Sequence, residues 1–325
     1  MANAYTSIAT TPGLVTELVQ AAYDKAVGEE LRTWPTMRNF VQMVPGNPAM
    51  RGTSTTMEKF AWFDSTAVTA AKTPLSEEVD VDSVKMPKPN PITVTPQEYG
   101  FVVTHTRKLA ARTFAPFEPF KAKAIAAHMN DVLDSLIQDV MVAGTQVAWA
   151  NDATSNASLN AGDYLKAHDL RIAVANLRAQ NVPTFYGGYY ALVSHPFAIL
   201  DLREESGSGG WRQPTEYGTD QSKIWTGEIA EFEGVRVVQS PTVRWVKDGS
   251  GSGGTQFRSM QNYIFGSNAL VEQVFTEPGV RVAPQLDKLG RFFTLGWYGD
   301  LGWAIYEQKA IYRLVSTSTN YQALV

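Results

Sequence analysis

The clearest pattern in the sequence is an apolar stripe at helical spacing between Phe117 and Val142. Pro116 and Pro119 stand where a helix begins, and Gly144 suits the position just after a helix end. The pattern predicts one helix of about 26 residues, which would be roughly 40 Å long. The members of the stripe are Ile125, Met129, Val132, Leu133, Leu136, Ile137, Val140 and Met141.

Two β-like runs precede this helix, Thr55–Asp64 and Ile92–Thr106, both rich in β-branched and aromatic residues. The acidic and proline-rich stretch Ser76–Pro91 separates them and is too long for a two-residue hairpin turn. It is either a disordered insertion or a long arm that becomes ordered on a neighbouring molecule. Residues 1–50 contain too little apolar material to bury by themselves, so we expect an N-terminal arm.

Helix and strand patterns both follow the long helix, and β runs also precede it, so we expect a fold of the α+β class. A polar stretch at 151–162 predicts a subdomain boundary, and glycine-serine stretches at 206–210 and 249–254 predict flexible loops. Three further β runs, YIFG, GWYGDLGWAIYE and KAIYRLVS, lie between about Asn262 and Val315. The individual predictions are a helix around Leu170–Leu177, a strand at Tyr189–Ser194, a helix at Phe197–Glu205 and a strand at Gly234–Gln239.

Composition excludes several classes of protein. The chain of 325 residues contains no cysteine, so disulfides, thiol catalysis and thiolate zinc sites are ruled out. No run of about 20 apolar residues predicts a membrane span. The formal net charge is −4, whereas proteins that grip nucleic acid usually carry a basic surplus. We therefore expect a chain that meets DNA to enclose it without sequence-specific binding.

Candidate catalytic groups are few. No two of the four histidines are close enough in sequence for a local metal motif. His128 lies on the long helix and is expected to be a hydrogen-bonded core or interface residue. Ser194 and His195 are adjacent on a strand and would point to opposite faces, so we expect one of them to cap the helix that Pro196 begins.

Neither glycine-serine stretch has the Gly-Lys-Ser/Thr of a phosphate loop, and no acidic group fits a calcium-binding loop. We therefore expect no catalytic residue, no cofactor, no metal and no enzyme activity. A hydrolase built on Ser194 would need a G-x-S-x-G turn, which is missing. A surface-binding β module is a further alternative, but it does not explain the long helix.

Three passages carry a resemblance to a known family. They are GFVVTHTRKLA at 100–110, IWTGEIAEFEGVRVVQSP at 224–241, and VRVAPQLDKLGRFFTLGWYGDLGWAIYEQKAIYRLVS at 280–316. With the order of elements, they resemble HK97-like major capsid proteins of tailed double-stranded DNA phages, in particular the group of the phage N4 protein. The similarity extends from about residue 50 to residue 315.

The resemblance implies a division of the chain into parts. Residues 1–50 would be the N-terminal arm, and 51–106 the extended β-hairpin loop with its flanking strands. Residues 107–162 and 261–325 would form the peripheral domain, with its spine helix at about 117–142. Residues 163–260 would form the axial domain, and Asp287–Tyr298 a loop near three-fold contacts.

The resemblance also implies subunit contacts. Charge pairs at the three-fold contacts could involve Asp300, Glu307, Lys309 and Arg313. The predicted interface residues are Trp34, Phe60, Trp62, Phe63, Lys72, Tyr99, Trp211, Trp225, Arg291 and Trp297. No covalent cross-link is predicted for Lys59, Lys72 or Asn268.

The implied function is a virion shell of pentamers and hexamers around double-stranded DNA, assembled in the bacterial cytoplasm. Partners would be other copies of the chain, a portal protein and a candidate decoration protein. About 50 residues precede the loop, too few for a built-in scaffolding segment, so we expect a separate scaffolding protein or none. The alternative is an encapsulin-like nanocompartment, which would hold enzyme cargo instead of DNA.

Overall fold

The computed structural model describes fourteen stretches of the chain. They are residues 37–44, 54–60, 63, 71–72, 74, 77–78, 80, 85–112, 117–160, 162–205, 231–232, 234–248, 257–282 and 289–318. They form a mixture of helices and β-sheets, as the α+β prediction requires. Both glycine-serine stretches and most of the predicted N-terminal arm lie outside them.

The long helix is confirmed at its predicted bounds, Phe117–Val142, and follows the short helix Arg107–Arg112. We call the short helix α1 and the long one α2. Leu133, Ile137 and Met141 of the apolar stripe are buried, so packing stabilises this helix. It ends where the Gly144 N–H donates to the Met141 carbonyl at 3.0 Å.

A four-stranded sheet packs against α2. Its strands are β1 (Gln42–Val44), β4 (Gln97–Thr106), β11 (Leu270–Val282) and β12 (Phe292–Ile305), in the order β1-β11-β12-β4. Strand β1 runs parallel to β11, and the other pairs are antiparallel. The core between helix and sheet contains Ile125, Leu295 and Trp297, with Tyr99, Val103, Ala122, Met129, Val132 and Phe293 partly buried around them.

A larger sheet of seven strands forms the rest of the body. The strands are β5 (Val147–Trp149), β6 (Tyr190–Ser194), β7 (Glu231–Phe232), β8 (Val235–Gln239), β9 (Trp245–Asp248), β10 (Phe257–Phe265) and β13 (Ile311–Thr317). Their order is β5-β13-β10-β6-β8-β7, with β9 paired to β10. The sheet therefore joins strands of the predicted axial segment to strands of the segments on either side of it. The division into domains stays a prediction.

Two helices accompany this sheet, α3 (Ala167–Ala179) and α4 (Pro196–Glu204). They confirm the helices predicted around Leu170–Leu177 and from Phe197 onward. Strands β6 and β8 likewise confirm the predicted Tyr189–Ser194 and Gly234–Gln239 within one residue. The side chains of these helices and strands share one large hydrophobic core with the C-terminal half of α2.

The predicted hairpin loop begins as a separate two-stranded sheet. Strand β2 (Thr55–Lys59) pairs antiparallel with β3 (Asn90–Val94), Thr55 opposite Val94. The predicted run Thr55–Asp64 is shorter in the structure, since the strand ends at Lys59. The predicted run Ile92–Thr106 is broken at Pro96, which has no N–H to donate to a ladder. Beyond this break the chain enters β4 in a different sheet.

Candidate subunit interfaces

The hairpin β2–β3 is tied to the body at its base. The Lys59 ammonium forms an ion pair with Glu307, and it lies 5.4 Å from the centre of the Tyr306 ring. Pro96 then passes so close to Gly302 that a Cβ there would lie 2.9 Å from the Pro96 Cα. The contact explains why a glycine occupies this position of β12. These contacts fix where the hairpin leaves the body.

Apolar side chains lie exposed on the hairpin beyond this anchor. Phe60 is 57% exposed, Phe63 54% and Met86 66%. Such side chains on one projecting segment are typical of a surface that another protein covers. Two of the three are predicted interface residues, and Met86 was not named from the sequence. Lys72 of the same segment is also exposed.

Trp297 has a different environment from the one that an interface role requires. Its side chain is 2% exposed and packs with Ile125 and Leu295 between β12 and α2. The indole N–H donates to Nδ1 of His128 at 3.2 Å, which confirms that His128 is hydrogen-bonded. The structure therefore gives Trp297 a role in packing inside the subunit, because almost none of its surface is left for a neighbour.

The other predicted interface residues lie in several places. Tyr99 is half-buried, and its ring lies 6.4 Å from that of Trp303 on the helix side of the sheet. Arg291 is exposed, with its guanidinium 5.6 Å from the Phe292 ring. Their interface role stays a prediction. Trp34, Trp62, Trp211 and Trp225 lie outside the described residues.

A lysine is buried beside this core. Lys121, near the start of α2, is 4% exposed, and its Nζ lies 2.8 Å from Nδ1 of the buried His105. An ammonium has no acceptor, so the ring nitrogen accepts. The Phe293 ring lies 5.7 Å from the same Nζ. The pairing partly offsets the cost of burying a cation near the helix N-terminus.

A buried carboxylate joins three segments that are far apart in the sequence. Asp134 on α2 accepts the Met37 N–H at 2.9 Å and the Thr242 hydroxyl at 2.5 Å. One turn further on, Gln138 donates to the Thr242 carbonyl and accepts the Arg244 N–H. Burial raises the pKa of Asp134 although these hydrogen bonds favour its charged form. Together these bonds hold the N-terminal segment and the turn before β9 against α2.

Arginine 38 adds a second tie between the N-terminal segment and the sheet. Its guanidinium contacts the buried Glu272 at 3.0 Å and the exposed Glu277 at 2.9 Å. Burial raises the pKa of Glu272, while Arg38 acts in the opposite direction. Phe40 also packs edge-on against Phe185 and Phe265. Residues 37–44 of the predicted arm are therefore part of the packed body.

The one candidate dyad, Ser194 with His195, is divided between two structural roles. The Ser194 hydroxyl donates to Asn262 Oδ1 at 2.5 Å inside the seven-stranded sheet. His195 is the N-cap of α4, and its Nδ1 accepts the Phe197 N–H at 3.3 Å. Burial lowers the pKa of His195, which keeps that nitrogen free to accept. The expected capping role is confirmed, and the two side chains do not face each other.

The described stretches contain no group of three or more histidine, aspartate or glutamate side chains that could hold a metal ion. None of the helices within them is long and apolar enough to cross a membrane.

Of the charges predicted for three-fold contacts, Glu307 forms an ion pair with Lys59 inside the subunit. Arg313 is partly buried with Gln261, and Asp300 lies opposite Glu98.

Solved structures provide the comparison with known proteins. No protein-family model and no curated protein matches the chain. The capsid of Ralstonia phage GP4 is similar, with a TM-score of 0.70 and 14% identity, over 91% of this chain and 94% of that one. The Cyanophage Pam1 capsid is similar at 0.65 and 11%, over 93% and 98%. The capsid of the native GTA particle is similar at 0.59 and 16%, over 97% and 100%. The chain therefore has the fold of these capsid subunits, the HK97-like fold that the resemblance of its sequence implied.

Proposed function

We propose that this chain is the major capsid protein of a tailed double-stranded DNA phage and that it assembles as pentamers and hexamers into an icosahedral shell. The observation that carries the proposal is the extent of the similarity to capsid subunits. More than nine-tenths of this chain aligns with more than nine-tenths of the GP4 and Pam1 capsid chains. The similarity therefore extends over almost the whole of this chain and of those capsid chains, and not over one motif or one subdomain.

The distribution of apolar surface supports the same function. A shell subunit needs a rigid body and projecting segments that bury area on its neighbours. Here the body is held by two sheets on α2, whereas the hairpin presents Phe60, Phe63 and Met86 to solvent. Exposed apolar side chains of this kind are unfavourable in a protein that stays monomeric. Covering them with another copy of the chain removes apolar surface from water, which favours assembly.

The charge of the chain suits a container for DNA. With a net charge of −4, the subunit has no basic surplus to bind phosphate, so the genome would be enclosed without sequence-specific contact. In this function the partners are other copies of the chain, a separate scaffolding protein, a portal protein and a candidate decoration protein. The subunits would assemble in the host cytoplasm and end in the virion.

An encapsulin-like nanocompartment is the alternative function. The similar structures described above are capsids of phages and of a GTA particle, which favours the virion. The contents of the shell distinguish the two. A particle that protects double-stranded DNA from nuclease supports the phage capsid, whereas a particle filled with an enzyme supports the nanocompartment.

Electron microscopy of the expressed chain tests the proposal. The chain is produced alone and with the other head proteins of its source, and particles are sized by light scattering and negative stain. Closed shells, or rings of five and six, are the expected result. A chain that stays monomeric or dimeric even with those head proteins present would overturn the proposal.

A further inference from the structure

Two acidic side chains face each other at one end of the strand pair β4–β12. Glu98 and Asp300 are directly opposite in the register, an arrangement that is destabilising for like charges. The Tyr298 hydroxyl hydrogen-bonds to Glu98, and that bond raises the pKa of Tyr298. Partial burial, followed by the charge of Glu98, raises the pKa of Asp300. In the described part of the chain no lysine or arginine forms an ion pair with either carboxylate.

Basic side chains gather at the opposite end of the same strand. Helix α1 follows β4 at once, reads RKLAAR and buries none of its residues. Its cations Arg107, Lys108 and Arg112 are exposed, and no described acidic residue pairs with them. The Arg107 N–H donates to the Arg291 carbonyl at 2.8 Å, so a fourth basic residue lies beside this helix.

The two ends cannot neutralise each other within one subunit. Arg107 lies nine positions after Glu98, which corresponds to about 30 Å along an extended strand. The sheet face between them looks away from α2, because Tyr99, Val103, Leu295 and Trp297 point to the helix. On this outer face Val102 is 59% exposed, and Thr104 and Arg281 are also exposed. The face is open to solvent and carries opposite charges at its two ends.

We propose that the acidic end of this face binds the basic helix α1 of a second copy of the chain, in a head-to-tail contact. The chain itself supplies both halves of the charge pair, which is why the occupant is another copy. Opposite charges at the two ends steer the copies into one register. A contact between two different surfaces repeats from subunit to subunit and closes into a ring where the rotation allows it. The proposal rests on the shell function and names one contact that would build its rings.

Cysteine cross-linking tests the contact directly, because the chain has no cysteine of its own. Glu98→Cys and Lys108→Cys are introduced together, and assembled particles are oxidised and run on a denaturing gel. A disulfide needs Cα atoms within about 7 Å, so residues at opposite ends of the strand can be joined only between copies. A ladder of oligomers that collapses to monomer with reductant is the expected result.

Matched controls fix the geometry of the contact. Each cysteine alone leaves only monomer, since a head-to-tail contact never brings equal positions together. Lys108→Cys combined with Asp152→Cys, an exposed position in the short 3-10 turn Ala150–Asp152 that follows β5, also leaves monomer. Dimers from a single-cysteine variant would overturn the proposal, because they indicate a two-fold contact.

Charge reversal gives a second test. Glu98→Lys with Asp300→Lys, or Arg107→Glu with Lys108→Glu, should lower the yield of closed particles at least about tenfold. Combining all four changes should restore assembly, and so should mixing the two reversed subunits in equal amounts. The charge-conserving variants Glu98→Asp and Arg107→Lys should assemble normally. Reversed variants that assemble as well as the unaltered chain would overturn the proposal.

The outcomes separate this contact from the shell function. If the unaltered chain builds no particle with its head proteins, the proposed function fails. If it builds shells but the oxidised Glu98→Cys and Lys108→Cys pair stays monomeric, the contact alone is wrong. If a reversed variant does not fold, as judged by circular dichroism, the cross-linking result decides.

Discussion

The hairpin β2–β3 and the unit of α2 with its four-stranded sheet both contain large apolar and aromatic side chains, but they place them differently. In the helix–sheet unit, Trp297 and Leu295 are buried, and polar groups such as His128 have partners inside the subunit. On the hairpin, Phe60 and Phe63 are more than half exposed and the base is anchored by Lys59. Aromatic content alone therefore does not distinguish a folding residue from an assembly residue. The two kinds of residue are distinguished by where the side chain lies relative to the sheet.

The largest expected effect is on the helix–sheet unit. Trp297→Ala leaves a cavity between β12 and α2 and removes the donor to His128. We expect the free energy of unfolding of the dissociated subunit to fall by about 3–5 kcal/mol. Urea titration followed by circular dichroism measures it. Val102→Ala, on the exposed face of the neighbouring strand, is the control and should change stability by less than about 0.5 kcal/mol. A small effect at Trp297 would break the comparison.

A smaller loss is expected at Asp134. Asp134→Ala removes the acceptor of the buried Met37 N–H and of the half-buried Thr242 hydroxyl, although that hydroxyl keeps the Ser240 hydroxyl at 2.7 Å. The expected cost is about 1–3 kcal/mol. Asp134→Asn keeps one acceptor oxygen and can donate to Thr242, so it should lose less. Equal losses in the two variants would contradict the role of these hydrogen bonds.

The pH dependence of stability tests the same carboxylate. Burial raises the pKa of Asp134 in the folded subunit above the value of about 3.9 that an unfolded chain has. The folded state thus binds the proton more tightly, and this group makes the subunit less stable as the pH rises through its folded pKa. Between pH 4 and 7, the free energy of unfolding should fall less steeply with rising pH for Asp134→Asn than for the unaltered chain. Parallel curves would contradict the assignment.

The smallest effect on subunit stability is expected on the hairpin. The variant tested combines Phe60→Ala, Phe63→Ala and Met86→Ala. Each of the three substitutions should change the free energy of unfolding by less than about 0.5 kcal/mol. The same variant should nonetheless form few closed particles, because the apolar surface offered to a neighbour is gone. Ile172→Ala, an exposed apolar position on α3, is the control and should assemble normally. Normal shells from the triple variant would remove the hairpin from assembly.

Periodicity predicted the elements whose apolar residues repeat without interruption. Helix α2 has the predicted bounds, and β6 reads as five consecutive buried residues. Strand β11 was not predicted, because LVEQVFTEPGVRV contains a proline, a glycine and two glutamates. The structure accommodates them by register shifts near Thr276 and by pairing Glu272 with Arg38. Neither compensation is visible in the sequence.

The candidate interface was predictable only in part, for a related reason. Phe60 and Phe63 are exposed, as an interface residue must be, since the hairpin leaves the body at Lys59. The burial of Trp297 was not evident from the sequence, because the glycines at 296, 299 and 302 obscure the alternation along β12. The opposed pair Glu98 and Asp300 depends on a register between strands about 200 residues apart in the chain, which no local pattern reveals.

The strand order of the four-stranded sheet has a consequence for how the subunit is synthesised. The edge strands β1 and β4 are translated early, whereas the central strands β11 and β12 come from residues 270–305. A ribosome has therefore translated more than four-fifths of the chain before the middle of this sheet exists. A prematurely terminated product lacks that middle and leaves α2 without its main partner. The topology thus acts as a check on completeness, since only copies translated beyond residue 305 can present a finished sheet to a growing shell.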